Sequence, residues 1–327
     1  MTTFSDPLAN ALHTRLKRLV SSEPRLPEAA RSKLWAIFEH ARAGLSEQNL
    51  LTEAGMFSIL ATTVAKSNNP AFDFVVVDEA QDNGIEHVRF FAALGGNRPN
   101  ALFFAGDLGQ RIFQQPFSWK SLGVDVRGRS RTLRVNYRTS HQIRRLADRL
   151  LGPEVSDADG NVEVRSDAVS VFNGPAPEIR ILPSEVEENN TVSQWLQGLI
   201  ASGLAPHEIG VFVRSPAQLA RARSAVEAAS ILYKILDEHV DTISGHLSLC
   251  TMHLAKGLEF RAVAVMACDD EVIPLQERIE TVGDDADLQD VYDTERHLLY
   301  VACTRARDHL LVTASSPASE FLEDMRL

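Results

Sequence analysis

Two carboxylates stand side by side at the end of an apolar run in the first third of the chain. Asp78 closes the strand candidate Phe74–Asp78, and with Glu79 it opens the sequence Asp-Glu-Ala-Gln-Asp. An aspartate at the carboxyl end of a buried strand can hold Mg²⁺ on nucleotide phosphates, and the adjacent glutamate can orient or deprotonate an attacking water. One such pair is more often a solvated turn after a core strand. The pair therefore needs support from other segments.

Two further segments place polar side chains after apolar runs. Gln110 follows the strand candidate Ala101–Asp107 in a loop with two glycines, where it could sense a terminal phosphate. Tyr137 and Arg138 follow the strand candidate Thr132–Val135, and they could stack on a base and act as an arginine finger. Taken alone, the first segment also fits an ordinary polar loop, and the second fits an edge strand with exposed arginines.

Two segments nearer the C-terminus carry less ordinary patterns. Residues 251–260 form a stretch rich in polar residues and glycine between two apolar strands, a pattern that favours a ligand-binding loop. Residues 295–306 predict a helix that puts Arg305 on the same face as Leu298 and Ala302. An arginine on an apolar stripe requires a partner, because an unpaired buried charge is strongly destabilising. A simple core helix therefore explains this segment poorly.

Apolar runs alternate with helical patterns along the chain, and this alternation predicts an α/β fold with a mainly parallel sheet. Runs without polar alternation predict strands that are buried on both faces. The strand candidates are Phe74–Asp78, Ala101–Asp107, Thr132–Val135, Glu178–Leu182, Ile209–Val213, Leu247–Thr251, Ala262–Met266 and Leu310–Thr313. Helices are predicted over much of 1–70, from an N-cap at Ser215 to about Ala229, and from about Thr294. The Gly- and Pro-containing segment Leu151–Pro177 is predicted to be a linker.

Length and composition narrow the class of protein. A chain of 327 residues favours two compact domains, and 44% hydrophobic residues can supply their cores. No apolar run has the length of a membrane span and the first residues do not resemble a secretory signal, so we expect a cytoplasmic protein without a membrane partner. Three cysteines without a CxxC pair predict buried free thiols rather than a metal site.

Charge is distributed unevenly along the chain. The net charge of −11 excludes a uniformly basic surface for nucleic acid, so any DNA contact must come from a local patch. Eight arginines form such a patch between Val126 and Leu150, namely Arg127, Arg129, Arg131, Arg134, Arg138, Arg144, Arg145 and Arg149. The segment Glu280–Glu295 holds seven acids and no Lys or Arg, which predicts a solvated loop.

The five segments, in this order, resemble motifs II to VI of the superfamily 1 UvrD/Rep-like (PcrA-like) ATP-dependent DNA helicases. The matching sequences are DEAQD, GDxxQxIF, LxxNYRT, TxHxAKGLEF and ERxLLYVAxTRA, and they cover the chain from about Phe74 to Leu311. The resemblance implies two RecA-like (P-loop NTPase type) parallel-sheet domains with ATP between them, the first incomplete. The implied division is a helical remainder over 1–70, a partial first RecA-like domain over 71–132 and a second over 133–327.

The resemblance also implies a role for individual residues, with ATP and Mg²⁺ as cofactors and single-stranded DNA as the partner. At the nucleotide it implies Asp78 as the Mg²⁺ ligand, Glu79 as catalytic base, Gln110 as γ-phosphate sensor, Tyr137 beside the base, Arg138 and Arg305 at the γ-phosphate, and Glu259 with Gly257 near the ribose. For DNA binding and its coupling to the nucleotide it implies Thr251, His253, Lys256 and Arg134.

Two departures from the family pattern bear on the function. The chain has no GxxxxGK[ST] phosphate-binding loop, and only 77 residues precede Asp78. We therefore expect that the chain begins inside the first RecA-like domain, and that a missing N-terminal part or a partner subunit supplies this loop. Thr251 follows Gln218 by only 33 positions, too few for the large accessory domain of UvrD-like enzymes.

The sequence favours the motor portion of a helicase that moves 3′ to 5′ on single-stranded DNA, with little ATPase activity in this chain alone. The alternative is a non-catalytic module derived from a helicase, which binds DNA or a protein. A metal-dependent nuclease using Asp78, Glu79 and Asp82 explains the pattern poorly, because no Lys or His stands close enough to them in the sequence to complete a familiar nuclease centre.

Overall fold

The computed structural model describes residues 28–67, 72–107, 118–126, 128–152, 154–156, 162–164, 169–280 and 285–326. Gln110 and Arg127 lie outside these ranges, as does most of the predicted linker. Within them, no helix has both the length and the apolar character needed to cross a membrane.

Helices occur throughout the described residues. They are α1 (Glu28–Glu47), α2 (Glu53–Lys66), α3 (Ile85–Gly95), α4 (His141–Ala147), α5 (Glu185–Ala201), α6 (Leu219–Ala228), α7 (Gln276–Ile279), α8 (Asp285–Thr304) and α9 (Phe321–Arg326).

Strands in the described residues form one large sheet and three two-stranded sheets. They are β1 (Val75–Val77), β2 (Leu102–Phe104), β3 (Val135–Asn136), β4 (Glu154–Ser156), β5 (Val162–Val164), β6 (Val169–Ser170), β7 (Glu178–Leu182), β8 (Ile209–Val213), β9 (Tyr233–Ile235), β10 (Leu247–Thr251), β11 (Phe260–Val265) and β12 (Ala306–Ser315).

The large sheet has the strand order β7-β12-β11-β8-β10-β9, and every neighbouring pair in it is parallel. The predicted α/β class with a parallel sheet is thereby confirmed. Strands β7, β8 and β10 have the predicted bounds, and the apolar runs of β8 and β10 are buried in the sheet, whereas β7 is only partly buried at its edge. Strand β9 was not predicted, since its sequence Tyr-Lys-Ile is short and lies at the edge.

Each face of this sheet carries its own hydrophobic core. Phe212 and Val265 belong to one cluster, whereas Val211 and Ala264 belong to the other. This division follows from the alternation of side chains along a strand. Helices α4, α8 and α9 contribute buried residues to the first cluster, and α5 and α6 contribute to the second. The three cysteines are buried free thiols, as predicted.

Contacts divide the chain into two units, each described by itself. The first unit covers the described residues of 1–75, 84–102 and 281–290, and the second covers those of 76–83, 103–280 and 291–327. In the first unit, Phe57 of α2 packs against the rings of His87 and Phe90 of α3. The predicted helical character of the N-terminal region is confirmed for α1 and α2. The predicted division at 70 and 132 stays a prediction.

The first two strands differ from the prediction of burial on both faces. In β1, Val76 is 71% exposed, and in β2, Phe103 is 62% exposed. The reason is that β1 and β2 form a two-stranded sheet, so one of their faces has no cover among the described residues.

Two other predictions near the middle of the chain were wrong in part. The strand predicted at Thr132–Val135 is the two-residue strand β3, which pairs with β6 rather than with the large sheet, while residues 128–134 are exposed. The predicted linker Leu151–Pro177 contains β4, β5 and β6, and the first two pair as an antiparallel hairpin. Short strands with charged residues give too weak a periodic signal to be predicted.

Two helix starts also differ from the prediction. Ser215 makes no side-chain cap, because the backbone forms a 3-10 turn over Pro216–Gln218 before α6 begins. Helix α8 begins at Asp285, so much of the predicted acidic loop Glu280–Glu295 is helical, and Glu295 itself is buried. Glu295 can be buried because arginines from elsewhere in the chain neutralise it.

Candidate functional site

The Asp-Glu-Ala-Gln-Asp segment forms a tight turn at the carboxyl end of β1. Asp78 and Glu79 are exposed, and the backbone N–H of Glu79 donates a hydrogen bond to Oδ1 of Asp78 (2.9 Å). Glu79 has φ 50° and ψ 40°, in the left-handed region that residues with a side chain rarely adopt. The N–H of Ala80 donates to the carbonyl of Ala105 (2.8 Å), which fixes the turn to the loop after β2.

Gln81 connects this turn to the loop after β2. Its side chain is buried, Nε2 donates to Oε2 of Glu79, and Oε1 accepts from the backbone N–H of Asp107 (3.0 Å). Gly106 lies so close that a Cβ at this position would overlap Oε1 of Gln81. The two polar loops therefore form one connected structure.

A second connection joins the same turn to the segment after β10. Nζ of Lys256 lies 2.5 Å from Oδ1 of Asp82, and only 11% of the lysine side chain is exposed. Thr251, His253 and Lys256 were predicted to contact DNA or couple it to the nucleotide. The structure places His253 within the 3-10 turn Met252–Ala255, Thr251 just before it and Lys256 just after it.

Arg138 and Arg305 line a single open cavity of ≈ 260 Å³. The residues around it are Asp107, Leu133, Val135, Asn136, Tyr137, Arg138, Thr139, Arg144, Tyr300, Thr304 and Arg305. Oδ1 of Asn136 accepts the N–H groups of Arg138 (2.8 Å) and Thr139 (3.3 Å), an Asx turn that sets the direction of this segment. Tyr137 is 73% exposed at the rim, so its ring is available for stacking.

Arg138 and Arg305 have different surroundings, and a third arginine of the cavity, Arg144, is paired with Asp148. Arg138 is about half exposed and forms an ion pair with Glu259, which precedes β11. Arg305 is 2% exposed and directs Nε to the carbonyl of Val301 (3.1 Å) and Nη1 to that of Leu258 (3.4 Å). Arg305 is buried, as the predicted helix implied. Backbone carbonyl oxygens are among the partners of its guanidinium.

The charge of Arg305 is costly in this position. Burial, followed by the nearby charge of Arg138, lowers the pKa of Arg305 to about 10, whereas Asp107 and Glu79 act in the opposite direction. A guanidinium remains charged at neutral pH even with this pKa. Two cations beside each other favour an anion in the cavity, because an anion would relieve their mutual repulsion.

A buried ion cluster that was not predicted acts electrostatically on His253. Nε and Nη2 of Arg214 each lie 2.5 Å from a carboxylate oxygen of Glu295, and Nη1 of Arg278 lies 2.8 Å from Oε1. The two arginines lower the pKa of Glu295 although burial opposes this. Burial and the charge of Arg214 lower the pKa of His253 to about 4, so the imidazole is neutral at pH 7.

A second buried cluster joins α5, α6 and the segment after β11. Arg221 pairs with Glu188 and Asp269, and Glu188 also accepts from Oγ1 of Thr313 (2.6 Å). These side chains satisfy one another, which is typical of a structural network. Each cluster had one signal in the sequence: Arg214 follows the continuous apolar run of β8 directly, and Arg221 falls on the buried face of α6.

The predicted site residues thus separate into groups. Tyr137, Arg138 and Arg305 share the cavity, and Asp78 and Glu79 lie on the turn whose charge acts on Arg305. Arg134 is exposed beside the cavity, Gly257 has φ 80° in the loop before Glu259, and Gln110 lies outside the described residues. Their individual roles stay predictions.

The residues present fit the cofactors that the sequence implied. Mg²⁺ in phosphate-transfer sites usually takes one or two carboxylates together with phosphate oxygens and water, and the exposed carboxylate of Asp78 can serve in this way. The described residues hold no cluster of three or more His, Cys, Asp or Glu side chains suited to a metal by themselves. A nucleotide phosphate fits the guanidiniums of Arg138 and Arg305, which line the same cavity.

Comparison with known proteins points to one family. Residues 226–317 match the UvrD-like helicase C-terminal domain. Over 75 residues, the chain is 45% identical to the putative ATP-dependent DNA helicase YjcD of Bacillus subtilis, covering 22% of this chain and 9% of the relative. Over 100 residues it is 37% identical to the ATP-dependent DNA helicase UvrD1 of Mycobacterium leprae, covering 27% and 12%.

Among solved structures, the C-terminal domain of a possible DNA helicase from Lactobacillus plantarum matches with a TM-score of 0.41 and 20% identity, over 58% of this chain and 94% of that domain. The matched segment of the family model begins in α6 and ends after β12, and it includes Arg278, Glu295 and Arg305. Residues 226–317 of this chain are therefore similar to the UvrD-like helicase C-terminal domain.

Proposed function

We propose that this chain is the motor portion of an ATP-dependent DNA helicase, in which the cavity beside Arg138 and Arg305 receives the nucleotide. The observation that carries the proposal is the placement of these two arginines, 167 positions apart, at one cavity with the charges of Asp107 and Glu79 acting on Arg305. The names of the relatives support ATP as the nucleotide and DNA as the substrate.

Each residue at the cavity has a task in this proposal. Arg305 is held by backbone carbonyls before any ligand arrives, so it needs little reorganisation to meet developing phosphate charge. Arg138 leaves Glu259 and turns to the same phosphate, which frees that carboxylate for the ribose. Tyr137 stacks on the base. Glu79 orients the attacking water and accepts its proton, and Mg²⁺ on Asp78 would neutralise phosphate charge.

DNA contact in this proposal comes from exposed basic residues outside the cavity. The segment 128–134 is exposed throughout and contains Arg129, Arg131 and Arg134. Residues 251–256, which include His253 and Lys256, form the segment proposed to couple DNA binding to the nucleotide, here called the coupling segment. The ion pair between Lys256 and Asp82 links this segment to the turn that carries Glu79. A movement of the coupling segment on DNA would therefore act on Glu79. Translocation in the 3′-to-5′ direction completes the proposal.

The matched segments span only 9% and 12% of two relatives, so the activity of a whole helicase is part of the proposal. The sequence contains no GxxxxGK[ST] loop, and such a loop provides most of the binding energy for β- and γ-phosphates. We therefore propose weak ATP hydrolysis by this chain alone, and a missing N-terminal part or a partner subunit that provides the loop.

Nucleotide binding tests the proposal without requiring hydrolysis. Titration with a fluorescent ATP analogue should show saturable binding in the presence of Mg²⁺, and Arg305→Met should weaken it about tenfold through loss of a charge-assisted contact. Arg180→Met is the matched control, because Arg180 is an exposed arginine of β7 paired with Glu178. Equal binding by wild type and Arg305→Met would refute the assignment of the cavity.

A non-catalytic module is the second candidate, and the lack of a phosphate-binding loop within the 327 residues favours it. The two candidates differ in their response to DNA. A motor portion should hydrolyse ATP faster when single-stranded DNA is added, and Glu79→Gln should abolish the increase. A module should bind DNA or a protein with no hydrolysis above the Glu79→Gln background.

A further inference from the structure

We infer that Gln81 is a positioning residue that holds the carboxylate of Glu79 at a fixed place relative to Asp107. The inference rests on the function proposed above, in which Glu79 is the catalytic base. Gln81 is 6% exposed, and both ends of its amide are used: Nε2 donates to Oε2 of Glu79, and Oε1 accepts from the N–H of Asp107 (3.0 Å). One side chain therefore joins the two acidic loops.

The backbone at Glu79 shows that the turn needs such support. A left-handed conformation at a residue with a side chain persists only where surrounding contacts hold it. The hydrogen bond from the N–H of Ala80 to the carbonyl of Ala105 holds the backbone of the turn. The hydrogen bond from Nε2 of Gln81 holds the side chain of Glu79. Without Gln81, the Glu79 carboxylate could rotate about its side-chain bonds into solvent.

Gly106 provides independent evidence that the approach of Gln81 is specific. A Cβ on Gly106 would overlap Oε1 of Gln81 and would lie 3.2 Å from the N of Ala80 and 3.3 Å from the N of Gln81. Gly106 is not among the residues with positive φ, so glycine is required here for space and not for conformational freedom. The two loops are packed together at the point where Gln81 crosses between them.

An amide is suited to this position because it offers a donor and an acceptor at fixed spacing. Glutamate in its place would keep an acceptor for Asp107 but would repel the Glu79 carboxylate. Methionine has a similar length and supplies neither function. These two substitutions therefore separate the bond to Asp107 from the bond to Glu79.

Amide hydrogen exchange measured by NMR tests the bond to Asp107. Gln81→Met should accelerate exchange of the Asp107 N–H about tenfold, as expected for the loss of one hydrogen bond of ordinary net strength, and Gln81→Glu should restore the slow exchange. Gln142→Met is the matched control, since the amide of Gln142 likewise joins the N–H of Gly174 to the side chain of Asn173. Unchanged exchange of the Asp107 N–H in Gln81→Met would overturn the inference.

Single-turnover hydrolysis tests the bond to Glu79. Both Gln81→Met and Gln81→Glu should slow hydrolysis by about tenfold at saturating ATP, with nucleotide affinity unchanged within about twofold, because only the base is displaced. The Glu79→Gln variant sets the floor, and Gln142→Met should match the wild type. Hydrolysis by Gln81→Glu at the wild-type rate would refute the positioning role.

A third measurement separates failure of this inference from failure of the proposed function. If wild type hydrolyses no faster than Glu79→Gln, the weak hydrolysis proposed for this chain alone is wrong, and NMR decides the positioning role of Gln81. The side-chain amide resonance of Gln81 should still move in Glu79→Ala while that of Gln142 stays in place. An unchanged chemical shift of the Gln81 side-chain amide in Glu79→Ala would overturn the inference, whether or not the chain hydrolyses ATP.

Discussion

Arg214 and Glu295, 81 positions apart, form a two-point ion pair that is almost completely removed from solvent. Both carboxylate oxygens are engaged at 2.5 Å, and the side chains are 4% and 0% exposed. Arg214 directly follows β8, and Glu295 lies within α8 ten positions before Arg305. The pair therefore fixes the helix whose end presents Arg305 to the cavity.

Removal of one member of this pair should destabilise the protein strongly. Arg214→Met leaves the buried Glu295 with Arg278 alone, and we expect a loss of about 3–5 kcal/mol in the free energy of unfolding. Urea denaturation measures this loss. The control Arg180→Met breaks an exposed pair with Glu178 and should cost less than about 1 kcal/mol. Similar losses in the two variants would contradict the structural role of the buried pair.

The neutral imidazole of His253 predicts a pH dependence of stability. The pKa of His253 is about 4 in the folded protein, below its ordinary value of 6.5, because burial and the charge of Arg214 disfavour the proton. The unfolded chain therefore binds more protons between these two pH values, and stability falls as the pH drops from 6.5 to 4. The total loss is about 3 kcal/mol.

His253→Gln should flatten this part of the curve, since glutamine does not titrate. Unfolding free energies measured at several pH values provide the comparison, with His239→Gln as a control for the loss of an exposed histidine. The lowered pKa of Glu295 adds a separate loss of stability at more acidic pH, and that loss should remain in His253→Gln. A wild-type curve that is flat between pH 6.5 and 4 would disprove the prediction.

Two helix ends that are both followed by a residue with positive φ, but carry different residues there, predict opposite changes in stability. After α5, Gly203 adopts φ 99°, and after α6, Ser230 adopts φ 57°. Ser230→Gly should stabilise the protein by roughly 1 kcal/mol, because glycine adopts the left-handed conformation without steric cost. Gly203→Ala should destabilise by a similar amount, and no atom lies within 4 Å of the added Cβ to complicate the comparison. Thermal unfolding of both variants decides the matter; a lower midpoint for Ser230→Gly would contradict it.

DNA binding, if the exposed segment 128–134 supplies it, should be weak and strongly dependent on salt. The net charge of −11 opposes binding, so affinity comes from a small number of phosphate contacts. Arg134→Gln should weaken binding to oligonucleotides of any sequence and reduce the slope of log affinity against log salt by about 1. Arg89→Gln, an exposed arginine of α3 paired with Glu86, is the control. Binding that is insensitive to salt would exclude this mode of recognition.

The sequence alone determined the α/β class, because continuous apolar runs such as Ile209–Val213, alternating with helical patterns, are typical of a parallel sheet covered on both faces. It also predicted Tyr137, Arg138 and Arg305 as candidate site residues, because the five segments resemble helicase motifs, and these three residues line the cavity. Burial of Arg305 followed from the helical period that placed it beside Leu298 and Ala302.

Only the tertiary structure decided which side chains meet. Nothing near Glu295 in the sequence indicates that Arg214 neutralises it, and an acidic run by itself predicts a solvated loop. Likewise, the bond of Gln81 to Asp107 and the pair of Lys256 with Asp82 join segments that lie 26 and 174 positions apart. Local periodicity reports which face of an element is apolar. Which charges become partners depends on how the strands are ordered in the sheet, and that order is fixed by packing over the whole chain.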